Sequence, residues 1–108
     1  MKKLIECDSE FFCRGSIFRA IGMPPYEASV DFMVFETLDE KRRFGLMVTT
    51  GYKAGLTLVI LPVESNSGTQ GLCREWVVKN WAEWIYPDCD VSQVLTFAGY
   101  EPGSEVNG

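Results

Sequence analysis

The chain has 108 residues, 46% of them hydrophobic, a formal net charge of −5 and no histidine. This length and composition predict a single globular domain spanning residues 1–108, and the missing histidine excludes Ser-His and Cys-His nucleophile pairs and a histidine general base. No stretch approaches the roughly 18 apolar residues of a membrane helix, and the N-terminus does not have the pattern of a signal peptide, so we expect a cytoplasmic protein that does not bind membranes.

The first half of the chain has the patterns of an antiparallel sheet. A short strand in "SIFRAIG" ends at Gly22 and the following "PP", which cannot continue a ladder. The segment "ASVDFMVFE" (28–36) is apolar on both faces, which predicts a central strand that is covered on each side. "RRFGLMVTT" and "LTLVILPVE" follow, joined by the glycine-containing turn "GYKAG". These last three segments predict a meander, and the basic run 41–43 is expected to mark a sheet edge.

The segment "WVVKNWAEWIYPDCD" (76–90) has helical spacing. At about 100° per residue its apolar side chains gather on one side, and three charged residues at i, i+4 spacing lie on the other. The predicted helix begins near Gly71, with Thr69 or Gln70 close to its cap, and ends before Pro87.

The rest of the chain completes an α+β architecture. "DVSQVLTF" predicts a last strand, and residues 1–16 and 99–108 are expected to fray, although "SEFF" hints at a short N-terminal helix. We therefore predict an antiparallel sheet of four or five strands, built as a meander, with one main tryptophan-rich helix packed on it.

The apolar arc of the predicted helix, from Trp76 to Val78, spans about 200° and is wider than the stripe that usually faces a core. Trp76 lies at the margin of this arc, beside Glu83. It either anchors a partner, as tryptophan often does at interfaces, or is covered by residues 1–16 or the C-terminal tail. The side chains expected in the core are those of Val77, Trp81 and Trp84.

The negative charge is concentrated near the C-terminus. Residues 80–108 carry five acidic and no basic side chains, whereas residues 1–79 carry ten of each. Such a region repels nucleic acid and attracts basic partners; a solvated tail that only aids solubility is the alternative.

Asp88 and Asp90 flank Cys89 closely enough to share a metal ion or a proton, but a Pro-led turn more often has this composition for backbone hydrogen bonding. The candidate partner-binding residues are Trp76, Glu83, Asp88 and Asp90, and we expect no catalytic residues, no metal and no cofactor.

The four cysteines are expected to be reduced, since nothing in the sequence indicates export. No C-x-x-C pair is present, so a closed zinc site is not favoured. Cys73 lies on the apolar side of the predicted helix, where we expect a buried thiol. The cysteines are Cys7, Cys13, Cys73 and Cys89.

Three segments, "IGMPPYEASVDFMVFE", "GLMVTTGYKAGLTLVILPVES" and "NWAEWIYPDCDVSQV", resemble small immunity proteins encoded beside bacterial polymorphic toxins, in particular immunity family 45. The similarity spans residues 15–97. Its most characteristic residues are Asn80-Trp81, followed by Trp84, Tyr86-Pro87 and Asp90-Val91.

The resemblance implies a cytosolic inhibitor that binds the toxic C-terminal domain of a contact-dependent or secreted effector, commonly a nuclease, and protects the cell that makes it. It implies no catalytic residues. A small-molecule-binding or assembly accessory module, and a small enzyme that works without histidine, are the alternatives.

Overall fold

A computed structural model describes residues 1–22, 28–68 and 70–100. The "PP" after the first predicted strand, Thr69 near the predicted helix cap and the tail from residue 101 lie outside the described residues. The helical elements are α1 (Arg74–Asn80), a π turn that follows it directly (Trp81–Ile85), and 3-10 turns at Leu4–Glu6, Val63–Ser65 and Val91–Gln93. The strands are β1 (Lys2–Lys3), β2 (Phe11–Phe12), β3 (Ile17–Ile21), β4 (Ser29–Glu36), β5 (Phe44–Val48), β6 (Thr57–Ile60), β7 (Asn66–Ser67), β8 (Gly71–Cys73) and β9 (Leu95–Phe97).

Six of these strands form an antiparallel sheet in the order β1-β9-β3-β4-β5-β6. The predicted meander is therefore confirmed in β4, β5 and β6, with β3 and β9 beside it. A second sheet, in the order β2-β8-β7, was not predicted because strands of two or three residues are too short to show an alternating pattern. The α+β class is confirmed. Among the described residues, none of the helices has the length and hydropathy needed to cross a bilayer.

Residues 1–16, for which fraying or a short helix was expected, contribute β1, a 3-10 turn and β2. The Leu4 amide donates to the Val94 carbonyl at 2.8 Å, and the Leu4 side chain is fully buried. Phe12 is buried and packs edge-on against Phe18, with their ring centroids 5.0 Å apart. This segment therefore contributes to the core.

One face of the six-stranded sheet, called here the core face, is buried. The registers Phe18–Phe32–Val48 and Val34–Leu46 place these side chains on it. They belong to one buried cluster with side chains from β2, β8, α1 and the π turn: Phe12, Leu72, Val77 and Trp81. The helix and the small sheet thus pack on the same side of the large sheet.

The opposite face, called here the open face, carries the side chains that alternate with those of the core face. The buried core cluster contains none of them. Ile17 and Asp31 are buried, but Met33 and Phe35 are only half-buried. The cover expected on each side of β4 is thus present on the core face and incomplete on the open face. The open-face residues include Lys3, Ile17, Arg19, Ile21, Asp31, Met33, Phe35, Met47, Thr57, Ile60, Leu95 and Phe97.

The most hydrophobic segment of the sequence forms β6, which is an edge strand. Its pairing with β5 shifts register between Leu46 and Met47, which indicates a β-bulge, and Leu58 is exposed there. Arg42 donates from Nη2 to the Ile60 carbonyl oxygen at 2.6 Å. A bulge and a basic side chain both hinder a further strand from pairing. The basic run itself lies in the turn between the interior strands β4 and β5, and its Arg42 reaches the edge strand.

Candidate partner-binding surface

The main helix begins later than predicted. Gly71–Cys73 form β8, so α1 starts at Arg74 rather than near Gly71. Gly71 is needed in this strand because a Cβ there would lie 2.6 Å from the Phe12 carbonyl oxygen. Cys73, the last residue of β8, has an extended backbone and is half-buried rather than buried as predicted.

The helix widens after Asn80. The Tyr86 amide donates to the Trp81 carbonyl at 3.0 Å, an i→i+5 bond, and Asn80 has φ −111° and ψ 13°. The Asn80 side-chain amide donates to the Trp76 carbonyl, one turn earlier in α1, at 2.9 Å. Residues Trp81–Ile85 therefore form a π turn, a feature that often occurs at functional sites.

This change of period decides which tryptophans are buried. A π turn advances by roughly 80° per residue instead of about 100°, which brings Ile85 into line with Val77 and swings Trp84 back toward Trp76. In agreement with this geometry, Val77 and Ile85 are buried, while Trp84 is 37% exposed. The prediction that Trp84 lies in the core is therefore wrong, because it assumed one helical period throughout.

Trp81 is the tryptophan of the core, as predicted, and is only 1% exposed. Its ring packs edge-on against Phe18 and Phe32, with centroid distances of 6.0 and 6.2 Å. Its indole N–H donates to the Cys89 carbonyl at 3.1 Å. Trp81 thus fixes both the π turn and the turn that follows it.

The other two tryptophans are neighbours at the margin of the helix. The ring centroids of Trp76 and Trp84 are 5.8 Å apart with the planes inclined by 59°. Trp76 is half-buried and packs against the core, so Trp84 rests on a fixed ring. Glu83 is exposed beside Trp84 in the chain. We call Trp76, Glu83 and Trp84 the tryptophan surface.

Two elements adjoin this surface. The π turn lies beside β6, and α1 lies beside the 3-10 turn Val63–Ser65, in which Val63 is exposed.

Asp88 and Asp90 occupy the turn after the π turn. Asp88 is exposed, and no hydrogen bond or ion pair to it occurs in the described part of the chain. Asp90 accepts a hydrogen bond from the Ser92 hydroxyl, and its carbonyl accepts the Gln93 amide at 2.9 Å. The local hydrogen bonding of Asp90 fits turn chemistry. Within the ranges that the structure describes, no group of three or more cysteine and carboxylate side chains is placed to hold a metal ion.

A polar cluster on the open face was not predicted. The Asp31 carboxylate is wholly buried and receives two hydrogen bonds from Arg19, Nε to Oδ1 at 2.7 Å and Nη2 to Oδ2 at 2.9 Å. The Tyr100 hydroxyl donates to Oδ2 at 2.6 Å and lies 2.8 Å from the Thr49 hydroxyl. Arg19 also lies over the Phe97 ring, 5.0 Å from its centroid.

The electrostatics of this cluster favour the charged pair. Burial alone would raise the pKa of Asp31, but the hydrogen bonds from Arg19 and Tyr100 outweigh it and hold that pKa below its ordinary value. Burial and the bond to Asp31 raise the pKa of Tyr100, so its hydroxyl keeps its proton. One signal in the sequence points to the pair: Arg19 is the only charged residue within β3, and Asp31 is the only one in the interior of β4.

The four cysteines are free, as the prediction of reduced thiols requires. Cys7 and Cys89 are buried, and Cys13 is exposed. The Cys89 sulfur accepts the Ile21 amide at 3.4 Å, which ties the turn after the helix to the end of β3. The Cys7 thiol donates to the Leu4 carbonyl at 3.3 Å, so both buried thiols have structural roles.

Comparison with known proteins gives one match. The family model described as Immunity protein 45 matches residues 4–96. No curated protein and no solved structure matches the chain. The matched range contains β2 to β8, α1, the π turn and most of β9, and it includes the segments on which the resemblance was recognised. The chain belongs to the Immunity protein 45 family.

Proposed function

We propose that this protein protects the cell that makes it by binding the toxic C-terminal domain of a cognate polymorphic toxin in the cytoplasm. The family match over residues 4–96 is the observation that carries this proposal. Inhibition by contact needs a binding surface and no catalytic group. We assign the contact to the tryptophan surface, together with Asp88 and Asp90 in the turn that follows it.

Trp84 is suited to be the anchor of this contact. Tryptophan is enriched among the few residues that dominate binding energy at interfaces. Trp84 is exposed, yet it stands on Trp76 and follows Trp81, which the core and the Cys89 carbonyl hold in place. An anchor on a fixed turn loses little conformational entropy on binding.

The charges around Trp84 suit a basic partner. Glu75, Glu83 and Asp88 are exposed, as is Lys79 between the two glutamates, and none of the three carboxylates forms an ion pair within 4 Å in the described residues. An indole ring beside carboxylates can receive an arginine or lysine side chain through cation–π and charge contacts. Nuclease toxins are basic where they bind phosphate, so we propose a nuclease as the cognate toxin.

Co-expression with the toxin domain encoded next to this chain's gene tests the proposal. Cells should survive only when the intact inhibitor is present, and the purified proteins should bind each other. Association should slow as salt is raised, because screening weakens the steering by exposed carboxylates. If the neighbouring toxin kills cells regardless of the inhibitor, the proposed function is wrong.

The surface is tested with matched variants. Trp84→Ala should raise the Kd by about 30-fold, corresponding to about 2 kcal/mol for an interface anchor, and Glu83→Gln should slow association. Tyr52→Ala, at another exposed aromatic residue on the β5–β6 turn, is the control and should leave the Kd within about 2-fold. Equal effects of Trp84→Ala and Tyr52→Ala would leave the function standing but would move the contact elsewhere.

A further inference from the structure

The open face has apolar rows that run across neighbouring strands. The register aligns Phe97, Ile17, Met33 and Met47 across four strands; Ile17 is fully buried, the other three are half-buried, and Tyr100 packs on Phe97 at one side of the face. In the next row the Phe35 ring lies across Gly45, where a Cβ would come within 2.5 Å of it. The missing side chain at Gly45 thus lets Phe35 lie flat toward Ile60. Such a surface fits another flat apolar face better than a protruding side chain.

The charges of the open face are almost entirely paired within it. Arg19 and Asp31 neutralise each other, and Arg19 keeps 34% of its side chain exposed. Among the described open-face positions, the other charged side chain is that of Lys3, on the edge strand β1. The exposed carboxylates Glu75 and Glu83 lie on the helical layer, on the opposite side of the sheet.

We propose that the open face binds a second copy of this chain, sheet against sheet, in a two-fold symmetric dimer. A nearly neutral apolar face meets its own copy without like-charge repulsion, whereas two acidic helical layers would repel each other. A basic toxin gains no electrostatic attraction from the open face. Charge therefore assigns the helical layer to the toxin and the open face to a second copy.

The size of the face sets the expected strength of the dimer. The six strands contain 27 residues, which at about 3.3 Å per residue and about 4.8 Å between strands give a footprint on the order of 400 Å². Stable interfaces bury about 800 Å² of accessible surface per partner, and a surface of side chains has a larger accessible area than its footprint. We therefore expect a reversible dimer with a Kd on the order of micromolar.

The dimer leaves both tryptophan surfaces free, since they lie on the far sides of the two sheets. The assignment of the two faces rests on the proposed basic toxin, but the dimer is measured on the inhibitor alone, so it can fail while the proposed function stands. With a toxin domain bound, the expected assembly contains two chains of each kind.

Sedimentation equilibrium of the full chain, from low micromolar to near-millimolar concentration, tests the proposal. The unmodified chain should show a concentration-dependent dimer. Ile21→Lys, on the open face, should raise the dimer Kd by at least about 10-fold, because a charge must be desolvated. Val63→Lys is the matched control, since both residues are 51% exposed but Val63 lies beside α1, and it should dimerise like the unmodified chain.

Met47→Lys, in the central row, is a second open-face variant and should also raise the dimer Kd by at least about 10-fold, while circular dichroism verifies that each variant is folded. Three results would overturn the proposal. The unmodified chain could be monomeric at every concentration, or Ile21→Lys and Val63→Lys could change the dimer equally. Alternatively, Ile21→Lys could leave the dimer intact and weaken toxin binding, which would assign the open face to the toxin.

Discussion

On the core face of the large sheet, Phe32 and Leu46 are buried, whereas Met33 and Met47, their neighbours along the same strands, stay half-exposed on the open face. Both faces have apolar side chains at alternate positions. The difference lies in what packs on them, because α1, the π turn and the small sheet all lie on one side. The apolar pattern of a strand therefore shows which of its faces avoid water. It does not show whether another element of the same chain packs on each face.

The largest expected difference in the free energy of unfolding is between a variant of Trp81, which the core covers, and a variant of Trp84, which it does not. Trp81→Ala removes a buried ring and its hydrogen bond to Cys89, so it should lower the free energy of unfolding by about 3–5 kcal/mol. Trp84→Ala should cost about 1 kcal/mol or less, because the ring already contacts water. Urea denaturation of both variants measures the difference. Equal losses would show that the two rings are equally important to the core.

A smaller effect is expected from the buried carboxylate of the open face. Asp31→Asn should cost about 2 kcal/mol near neutral pH, because Arg19 loses its ionic partner but can still reach water. The pKa of Asp31 is lower in the folded than in the unfolded chain. The stability it contributes is therefore complete above the ordinary aspartate pKa of about 3.9 and is lost as pH falls through the folded value.

Thermal melting at a series of pH values tests this dependence. The difference in Tm between the unmodified chain and Asp31→Asn should be constant above the ordinary aspartate pKa of about 3.9 and shrink as the pH falls below it. A difference that persists in acid would mean that the substitution acts through packing rather than charge.

The smallest expected loss of stability comes from removing the Tyr100 hydroxyl, which belongs to the polar cluster around Asp31 on the open face. Tyr100→Phe removes the hydrogen bonds to Asp31 and Thr49 and should cost about 1 kcal/mol. Tyr52→Phe is the control, because no hydrogen bond to its exposed hydroxyl occurs in the described structure. Denaturation curves that coincide for the two variants would show that the Tyr100 bonds add nothing to stability.

The strands of the meander could be predicted because each is long enough to show its pattern. The burial of Trp81 and Val77 could also be predicted, since both lie in the centre of the helical arc. The position of Trp84 could not, because the π turn depends on how Trp81 and Ile85 fit onto the sheet. The Arg19–Asp31 pair depends on the register of β3 and β4, which a sequence pattern leaves open.

The π turn separates the exposed positions of the helical segment from the buried positions that pack on the sheet. In an α-helix, residue i+3 shares a face with i and i+4, but here Ala82, Glu83 and Trp84 are all exposed between the buried Trp81 and Ile85. Substitutions at these three consecutive positions change the outer surface and leave the residues that seat the helix untouched. Partner preference can therefore diverge within one short stretch of sequence while the fold is inherited unchanged.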